Sequence, residues 1–355
     1  MISQPTMDMP VASSKRELDE DPWGSLINYA QRNLENSDRY GESLTAFCRG
    51  FKPDYSRYFV PQTMIPFYGT EIWDELNEDQ RIFLSQVRYA AIYNRVSSLE
   101  NLACESNSLF AAQLQKNSSN VLRFYVNRET QEEYDHIWSF RQTSRAIELH
   151  HFGEPVFDVP GANFDAQVNI KLFNRIRVAF RFMPKIMVMV TYTIRGLRNA
   201  ALKTTEEAIL QATDMEPNLQ KQTRLHFIDE ARHTGMSYMV GKSMYEISGR
   251  SPLCNLLILQ YLKRPQEGGP QSIKKRSYSE PDVRNPVVRP RLLAHPILKS
   301  KAERINRFLD SGLAATPIGE DLYSRYLQRC NKNLEYMPED FRTKANELLL
   351  ALRTA

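Results

Sequence analysis

Two short motifs, each a glutamate followed three residues later by a histidine, constrain the fold of this chain most. Glu133 and His136 form the first motif, Glu230 and His233 form the second, and His226 stands one helical turn before Glu230. Residues three or four apart lie on the same face of an α-helix. Two such helices, with one glutamate from each of two others, make a two-metal carboxylate site inside a helix bundle. The motifs therefore predict an all-α fold, a ferritin-like four-helix bundle core with additional N- and C-terminal helices.

The composition agrees with a helical fold and argues against several functions. Only 14 glycines occur in 355 residues, and long stretches without glycine or proline favour helices. A formal net charge of +4, with basic residues not gathered on one helical face, argues against a nucleic-acid partner. No uncharged apolar run is long enough to span a membrane, and the first residues do not resemble a secretory signal. Four scattered cysteines indicate free thiols in a reducing compartment. We expect a cytoplasmic protein.

Helical periodicity and breaker residues divide the chain into four segments. We expect a flexible leader over 1–22, a ferritin-like di-iron domain over 23–262, a basic loop rich in proline and glycine over 263–298, and C-terminal helices over 299–355 that close the same domain. The proline- and aromatic-rich segment Pro53–Phe67 is expected to be irregular but ordered. Five helical tracts are predicted, with a kink at the proline that follows the third: 78–115, 129–149, 169–181, one ending near 213, and 219–246.

A third carboxylate, Glu100, lies on an apolar stripe of the first tract. An unpaired ionised carboxylate in an apolar interior costs several kcal/mol, so such groups are usually paired or metal-bound. A single Glu-x-x-His is more often an ordinary charged pair at a helix edge. Three helices that all place ligand-type residues on a buried face favour a metal site instead. Three imidazoles with carboxylates and no nearby thiolate suit iron, with manganese as the alternative, whereas structural zinc more often uses cysteine.

Two charged residues close to the second motif, Asp229 and Arg232, each have two possible roles. Asp229 lies beside Glu230 but off the ligand face, where it either orients a ligating histidine or is solvated at the surface. Arg232 either pairs with such an orienting carboxylate or lies at the surface.

The string from His226 to His233, with Pro217 upstream of it, resembles the p-aminobenzoate N-oxygenase family, and Glu133 to His136 and the position of Glu100 share the resemblance. It spans roughly residues 82–240. It implies a non-heme protein with two iron ions, and the matching positions imply the following ligands: Glu100, Glu133, His136, His226, Glu230 and His233.

One ligand of the family pattern does not carry over directly. The family places a further glutamate on the helix before Pro217, where an ungapped reading gives Asn199. Glu206 and Glu207 are the acidic residues on that helix, and we choose Glu206 because it lies closer to the helix's stripe of small residues. The alternative is that neither serves, which would leave the site asymmetric or the second metal weakly held. Tyr93 lies two turns before Glu100 on the same face, where it either lines the substrate pocket or is a core tyrosine with a satisfied hydroxyl.

The resemblance implies a dioxygen-using enzyme that converts an aryl or other amine to a hydroxylamine or nitro compound in biosynthesis. An external electron donor is required, because no flavin or nicotinamide fingerprint is present. Arg177, Arg195 and Arg198 are candidates to bind a substrate carboxylate. The alternatives are C–H hydroxylation, desaturation or C–C cleavage of an organic acid, an iron-handling ferritin-like protein, and a helical interaction module without metal. A homodimer suits the fold.

Overall fold

The computed structural model describes residues 21–37, 43–49, 52–114, 120–159, 174–263, 285–310 and 320–354. The fold over these ranges is all-α and contains no β-strand, as predicted. None of its helices is both long and apolar enough to cross a membrane. The α-helices are α1 (Pro22–Ser37), α2 (Leu44–Cys48), α3 (Glu71–Glu75), α4 (Glu78–Leu114), α5 (Asn120–Phe152), α6 (174–182), α7 (Pro184–Gln211), α8 (Pro217–Ile247), α9 (Pro252–Lys263), α10 (Val288–Ala294), α11 (Ala302–Asp310), α12 (Glu320–Asn333) and α13 (Glu339–Thr354).

The core of the fold is a bundle of four long helices arranged as two antiparallel pairs. Helices α4 and α5 form one pair, and α7 and α8 form the other. The antiparallel order is visible in the α4–α5 contacts, because Asn107 near the end of α4 bonds to Glu129 near the start of α5, whereas Ser144 bonds back to Ala90. This ferritin-like arrangement directs one face of every helix towards a shared interior.

Local sequence signals fix where the bundle helices begin. Asn77 and Gln80 exchange backbone and side-chain hydrogen bonds ahead of α4, which satisfies free amide groups of its first turn. Pro184 is the first residue of α7. The helix is interrupted at Met183, between α6 and α7, at the kink expected from the sequence. The Glu216 carboxylate accepts a hydrogen bond from the Leu219 amide at 2.7 Å and caps α8.

Two apolar clusters fill the bundle on either side of a polar layer. One cluster contains Tyr93 and Phe140, and the other contains Phe110 and Met236. On α4, α5 and α8 the predicted ligands lie between residues of one cluster and residues of the other. The polar layer is therefore enclosed by close-packed apolar side chains along the bundle axis.

Shorter helices cover the outside of the bundle at both termini, as predicted. Helix α1 packs on α5 and α8, α12 packs on α7, and α13 packs on α9. The packing on α8 is close at Gly235, where an added Cβ would lie 1.9 Å from the Tyr29 hydroxyl. The segment from Pro53 to Phe67 is irregular and ordered, with buried Phe59 bonded to Ser85.

Several predicted boundaries differ from the structure. Helix α5 begins at Asn120 rather than near residue 129, because Leu122 and Val126 are buried in the core. The segment predicted as a loop over 263–298 contains α10, because buried Val288 and Leu292 pack into the apolar cluster, and the proline of this helix lies in its first turn, where proline is tolerated. Residues 1–20, 160–173, 264–284 and 311–319, which include most of the predicted leader and loop, lie outside the described residues.

Candidate metal centre

Six of the predicted ligands come together in the polar layer of the bundle. Helix α4 supplies one glutamate, α5 supplies a glutamate and a histidine, and α8 supplies two histidines and a glutamate. They form two overlapping groups in which one potential ligand atom per residue lies within 4.8 Å of the others. The groups are Glu100, His136, His226 and Glu230, and Glu133, His136, Glu230 and His233. Because His136 and Glu230 belong to both groups, the arrangement can hold two metal ions side by side.

Each of the three histidines has one ring nitrogen near the cluster and the other beside a carboxylate. These outer contacts are His136 Nε2 with Asp229 at 3.2 Å, His233 Nε2 with Glu132 at 3.0 Å and His226 Nδ1 with Glu206 at 2.5 Å. An ionised carboxylate only accepts hydrogen bonds, so it favours the proton on the nitrogen that faces it. The lone pair of the other nitrogen is then directed at the cluster, as a metal requires.

An arginine links two of these orienting carboxylates. The Arg232 guanidinium donates to Asp229 at 2.8 Å and to Glu132 at 3.1 Å. Of the two interpretations of Asp229 and Arg232, the contact geometry agrees with the orienting one. The arginine therefore couples the outer hydrogen bonds of His136 and His233.

Unsatisfied polar atoms test whether the cluster fits a metal. Glu100 Oε2, Glu133 Oε2 and His136 Nδ1 are buried and have no hydrogen-bond partner within the described chain. Buried polar atoms are normally paired, because an unmade hydrogen bond costs about 1–3 kcal/mol. These three atoms are oxygen and imidazole donors of the kind that iron and manganese accept. The residues present therefore fit a bound metal.

Electrostatic coupling within the cluster is strong. Burial raises the pKa of Glu100 to about 7, although the neighbouring histidines oppose this effect. Burial lowers the pKa of His226, but the facing carboxylates of Glu206 and Glu100 outweigh it, so the pKa is raised well above the ordinary value. The pKa of His136 is raised to about 9, because its carboxylate partners outweigh burial and the neighbouring His226. In the metal-free protein, protons therefore take the place of cations in this anionic layer.

The seventh predicted ligand, Glu206, does not join either metal group. Its carboxylate lies on the Nδ1 side of the His226 ring, whereas His226 Nε2 faces Glu100 at 3.0 Å. The helical register of α7 explains the difference, because Asn199, two turns earlier, reaches the cluster and donates to Glu230 Oε2 at 2.6 Å. Glu207, the other candidate, pairs instead with arginines of α12. The described structure thus places an amide where the sequence prediction required a carboxylate.

The three candidate substrate arginines have different surroundings. Arg195 is buried and contacts Glu129 and the potential ligand Glu133, so its guanidinium is already engaged by two carboxylates. Arg198 lines a cavity beside the cluster and donates to the Tyr261 hydroxyl at 3.3 Å. Arg177 is exposed on α6 and is not part of the cavity lining.

Tyr93, predicted as a pocket residue, lies in the apolar core. Its ring stacks on Phe140 with centroids 4.3 Å apart, and its hydroxyl lies 3.1 Å from Thr223 and 3.3 Å from Glu206. Tyr93 is not among the residues that line the cavity beside the cluster. The contacts match the alternative, a core tyrosine with a satisfied hydroxyl.

A cavity of about 450 Å³ leads to the cluster. Glu100, Glu133 and Glu230 form part of its wall, so the potential metal positions face it directly. Most of the wall comes from α4, α6, α7 and α9; half of its residues are aliphatic, and five are arginines, namely Arg88, Arg95, Arg175, Arg195 and Arg198. The volume lies in the range of small-molecule binding sites.

Sequence reasoning missed two carboxylates that support the cluster. The Glu132 carboxylate lies 3.0 Å from His233 Nε2, and the Glu129 carboxylate forms an ion pair with Arg195. Glu129 lies one turn before Glu133 on the same face, a spacing that could have identified it. Glu132 gave no such signal, because its partner lies on a different helix.

The fold and the cluster define a ferritin-like helical protein with a buried carboxylate and histidine centre suited to a metal pair. The family model described as p-aminobenzoate N-oxygenase AurF matches residues 49–251. The chain therefore belongs to this family of oxygenases, as the sequence motifs predicted. A search of curated proteins finds no significant match.

Proposed function

We propose that this protein is a non-heme di-iron oxygenase that transfers oxygen from dioxygen to the nitrogen of an aryl or other amine. The observation that carries the proposal is the convergence of six ligand-type side chains from three helices, with buried atoms that have no hydrogen-bond partner. Membership of the p-aminobenzoate N-oxygenase family supports the choice of nitrogen as the oxidised atom.

The proposed ligands are Glu100, Glu133, His136, His226, Glu230 and His233, with Glu230 shared between the two metal positions. When bound, two iron ions would supply the redox chemistry that activates dioxygen. The protein's contribution is placement: outer carboxylates hold the histidine rings, and the apolar clusters exclude water from the layer. Manganese is the alternative metal, because the donor atoms suit both ions.

The cavity is the proposed substrate site. The aliphatic half of its wall suits the apolar body of an organic amine, and Glu100, Glu133 and Glu230 in the same wall would place the reacting nitrogen beside the metal layer. In the first oxidation, the nitrogen forms a bond to one oxygen atom of dioxygen and the second oxygen atom leaves as water. An external donor supplies the two electrons, and two protons complete the balance.

The test is product analysis with labelled dioxygen. Protein loaded with ferrous iron, given a chemical reductant and p-aminobenzoate or related arylamines, is expected to form a hydroxylamine or nitro product that contains oxygen from ¹⁸O₂. Glu230→Ala should lose both iron and product. Asp135→Asn is the matched control, because Asp135 lies beside His136 but belongs to neither metal group.

Three outcomes would contradict the proposal in different ways. Labelled oxygen on carbon of an organic acid, with arylamines unchanged, would indicate a hydroxylase instead. Uptake of many iron ions per chain would indicate an iron-handling protein. Purified protein that binds no iron or manganese would remove the metal centre altogether.

A further inference from the structure

The surroundings of the two metal groups differ in charge. The group with Glu133 and His233 lies next to Arg195, whose guanidinium is 2.5 Å from Glu133 Oε1 and also contacts Glu129. Asn107 accepts a further hydrogen bond from this guanidinium at 3.3 Å. In the group with Glu100, the carboxylate contacts are with imidazoles, His226 at 3.0 Å and His136 at 3.8 Å.

Arg195 is a permanent cation at the first of these positions. A guanidinium is charged at every relevant pH, and this side chain is buried with two carboxylate partners. Its bond to Glu133 engages one carboxylate oxygen, which leaves Oε2 for a metal. A divalent ion bound there would be repelled by the guanidinium at short range in a poorly screened interior.

The amide at position 199 reduces the negative charge available to both positions. Asn199 donates to Glu230 Oε2 at 2.6 Å, so the oxygen of the shared glutamate that faces α7 is engaged by a neutral donor. A glutamate at this position would add a negative charge to the cluster, whereas the amide adds none. Helix α7 therefore presents a cation and an amide to the layer where a metal pair needs anionic oxygen.

We propose that the two metal positions bind with unequal affinity, because Arg195 occupies part of the electrostatic role of a second metal ion. The position formed by Glu100 and His226 is the tight one, and the position formed by Glu133 and His233 is the weak one. The proposal rests on the proposed function, because it assumes that the cluster binds metal. It deepens that function by making the second metal ion the exchangeable one.

The test is anaerobic titration of the full-length metal-free protein with Mn²⁺ in the presence of a competing chelator. Bound metal is measured by elemental analysis, and spin-coupled pairs are measured by electron paramagnetic resonance. The expected result is one ion retained at low free Mn²⁺ and a second bound at least 100-fold more weakly. The coupled-pair signal should grow only as the second ion binds.

Two variants test how residues of α7 affect the affinity of the two positions. The double variant Arg195→Met with Glu129→Gln removes the guanidinium together with its extra partner, and should bring the two dissociation constants within about tenfold. Asn199→Glu adds a carboxylate beside the shared Glu230 and should tighten both positions. Arg329→Met is the control, since this arginine bonds to Thr204 and Glu207 of α7, and not to a ligand or the cavity; it should leave both constants unchanged.

The outcomes separate this proposal from the proposed function. Two ions bound by the unaltered protein with equal affinity would overturn the inequality and leave the di-iron proposal standing. No bound Mn²⁺ or Fe²⁺ would overturn both. Unequal positions that stay unequal in a folded double variant would overturn the role assigned to Arg195. The titration of the unaltered protein gives a result even where a variant fails to fold.

Discussion

The replacement Asp229→Asn tests whether the outer carboxylates set the direction of the histidine rings. Asp229 accepts from His136 Nε2 at 3.2 Å, which keeps the proton on that nitrogen and leaves the Nδ1 lone pair for one metal ion. An asparagine amide can donate to Nε2 instead, which would move the ring proton to Nδ1 and block the ligand atom. The change in shape is small, so packing should be preserved.

The size of the effect follows from the position of His136. Removing an orienting partner of a metal-bound histidine typically weakens metal binding 10–100-fold, or about 1.4–2.7 kcal/mol. His136 has one free lone pair, on Nδ1, so it can bind one ion, and Asp229→Asn should weaken the one position that His136 serves. Glu132→Gln should affect mainly the position that contains His233, which its carboxylate contacts at 3.0 Å.

The assay is competition for Mn²⁺ against a chelator, with Asp135→Asn as the control. We expect about 10–100-fold weaker binding of one ion in Asp229→Asn, weaker binding at the position that contains His233 in Glu132→Gln, and no change in Asp135→Asn. Asp229→Asn protein that binds both ions within twofold of the unaltered protein would refute the orienting role.

Three further predictions concern stability. Burial lowers the pKa of His151 from 6.5 to about 3, so the unfolded chain binds a proton more readily than the folded protein. Stability should therefore fall as the pH drops from about 6.5 towards 3. A plot of Tm against pH should decline less steeply in His151→Asn than in the unaltered protein, and equal slopes would count against this explanation. Phe140→Ala removes a fully buried ring and should cost about 3–5 kcal/mol in denaturant unfolding, so a loss under about 1 kcal/mol would contradict the described packing. An added Cβ at Gly241 would lie 2.5 Å from the Tyr336 hydroxyl, so Gly241→Ala should lower the free energy of unfolding by about 1–3 kcal/mol. Adding Tyr336→Phe should recover part of this loss in the same unfolding assay. No recovery would show that the Tyr336 hydroxyl is not the obstacle.

Helical spacing was sufficient to predict most of the centre. Glu133 with His136 and Glu230 with His233 share a face within one helix, so their convergence depends only on local geometry. The N-terminal part of α8 was equally predictable, because Pro217 and the capping Glu216 mark its start. The all-α class followed from the same periodicity.

Contacts between helices could not be predicted in this way. Whether Asn199 or Glu206 reaches the cluster depends on how far α7 slides along α8, and a shift of two turns exchanges one for the other. Arg195 was considered a partner for a substrate acid, but its contacts are with Glu129 and Glu133 on α5. Such pairings depend on the relative position of two helices, which residue spacing along one chain does not encode.

The most direct measurement is a crystal structure of the iron-loaded protein with anomalous diffraction recorded on both sides of the iron absorption edge. We expect two iron peaks in the polar layer, one beside Glu100 and His226 and a weaker one beside Glu133 and His233, with Glu230 between them. Iron found only elsewhere, or histidines turned away from an empty layer after loading, would contradict it.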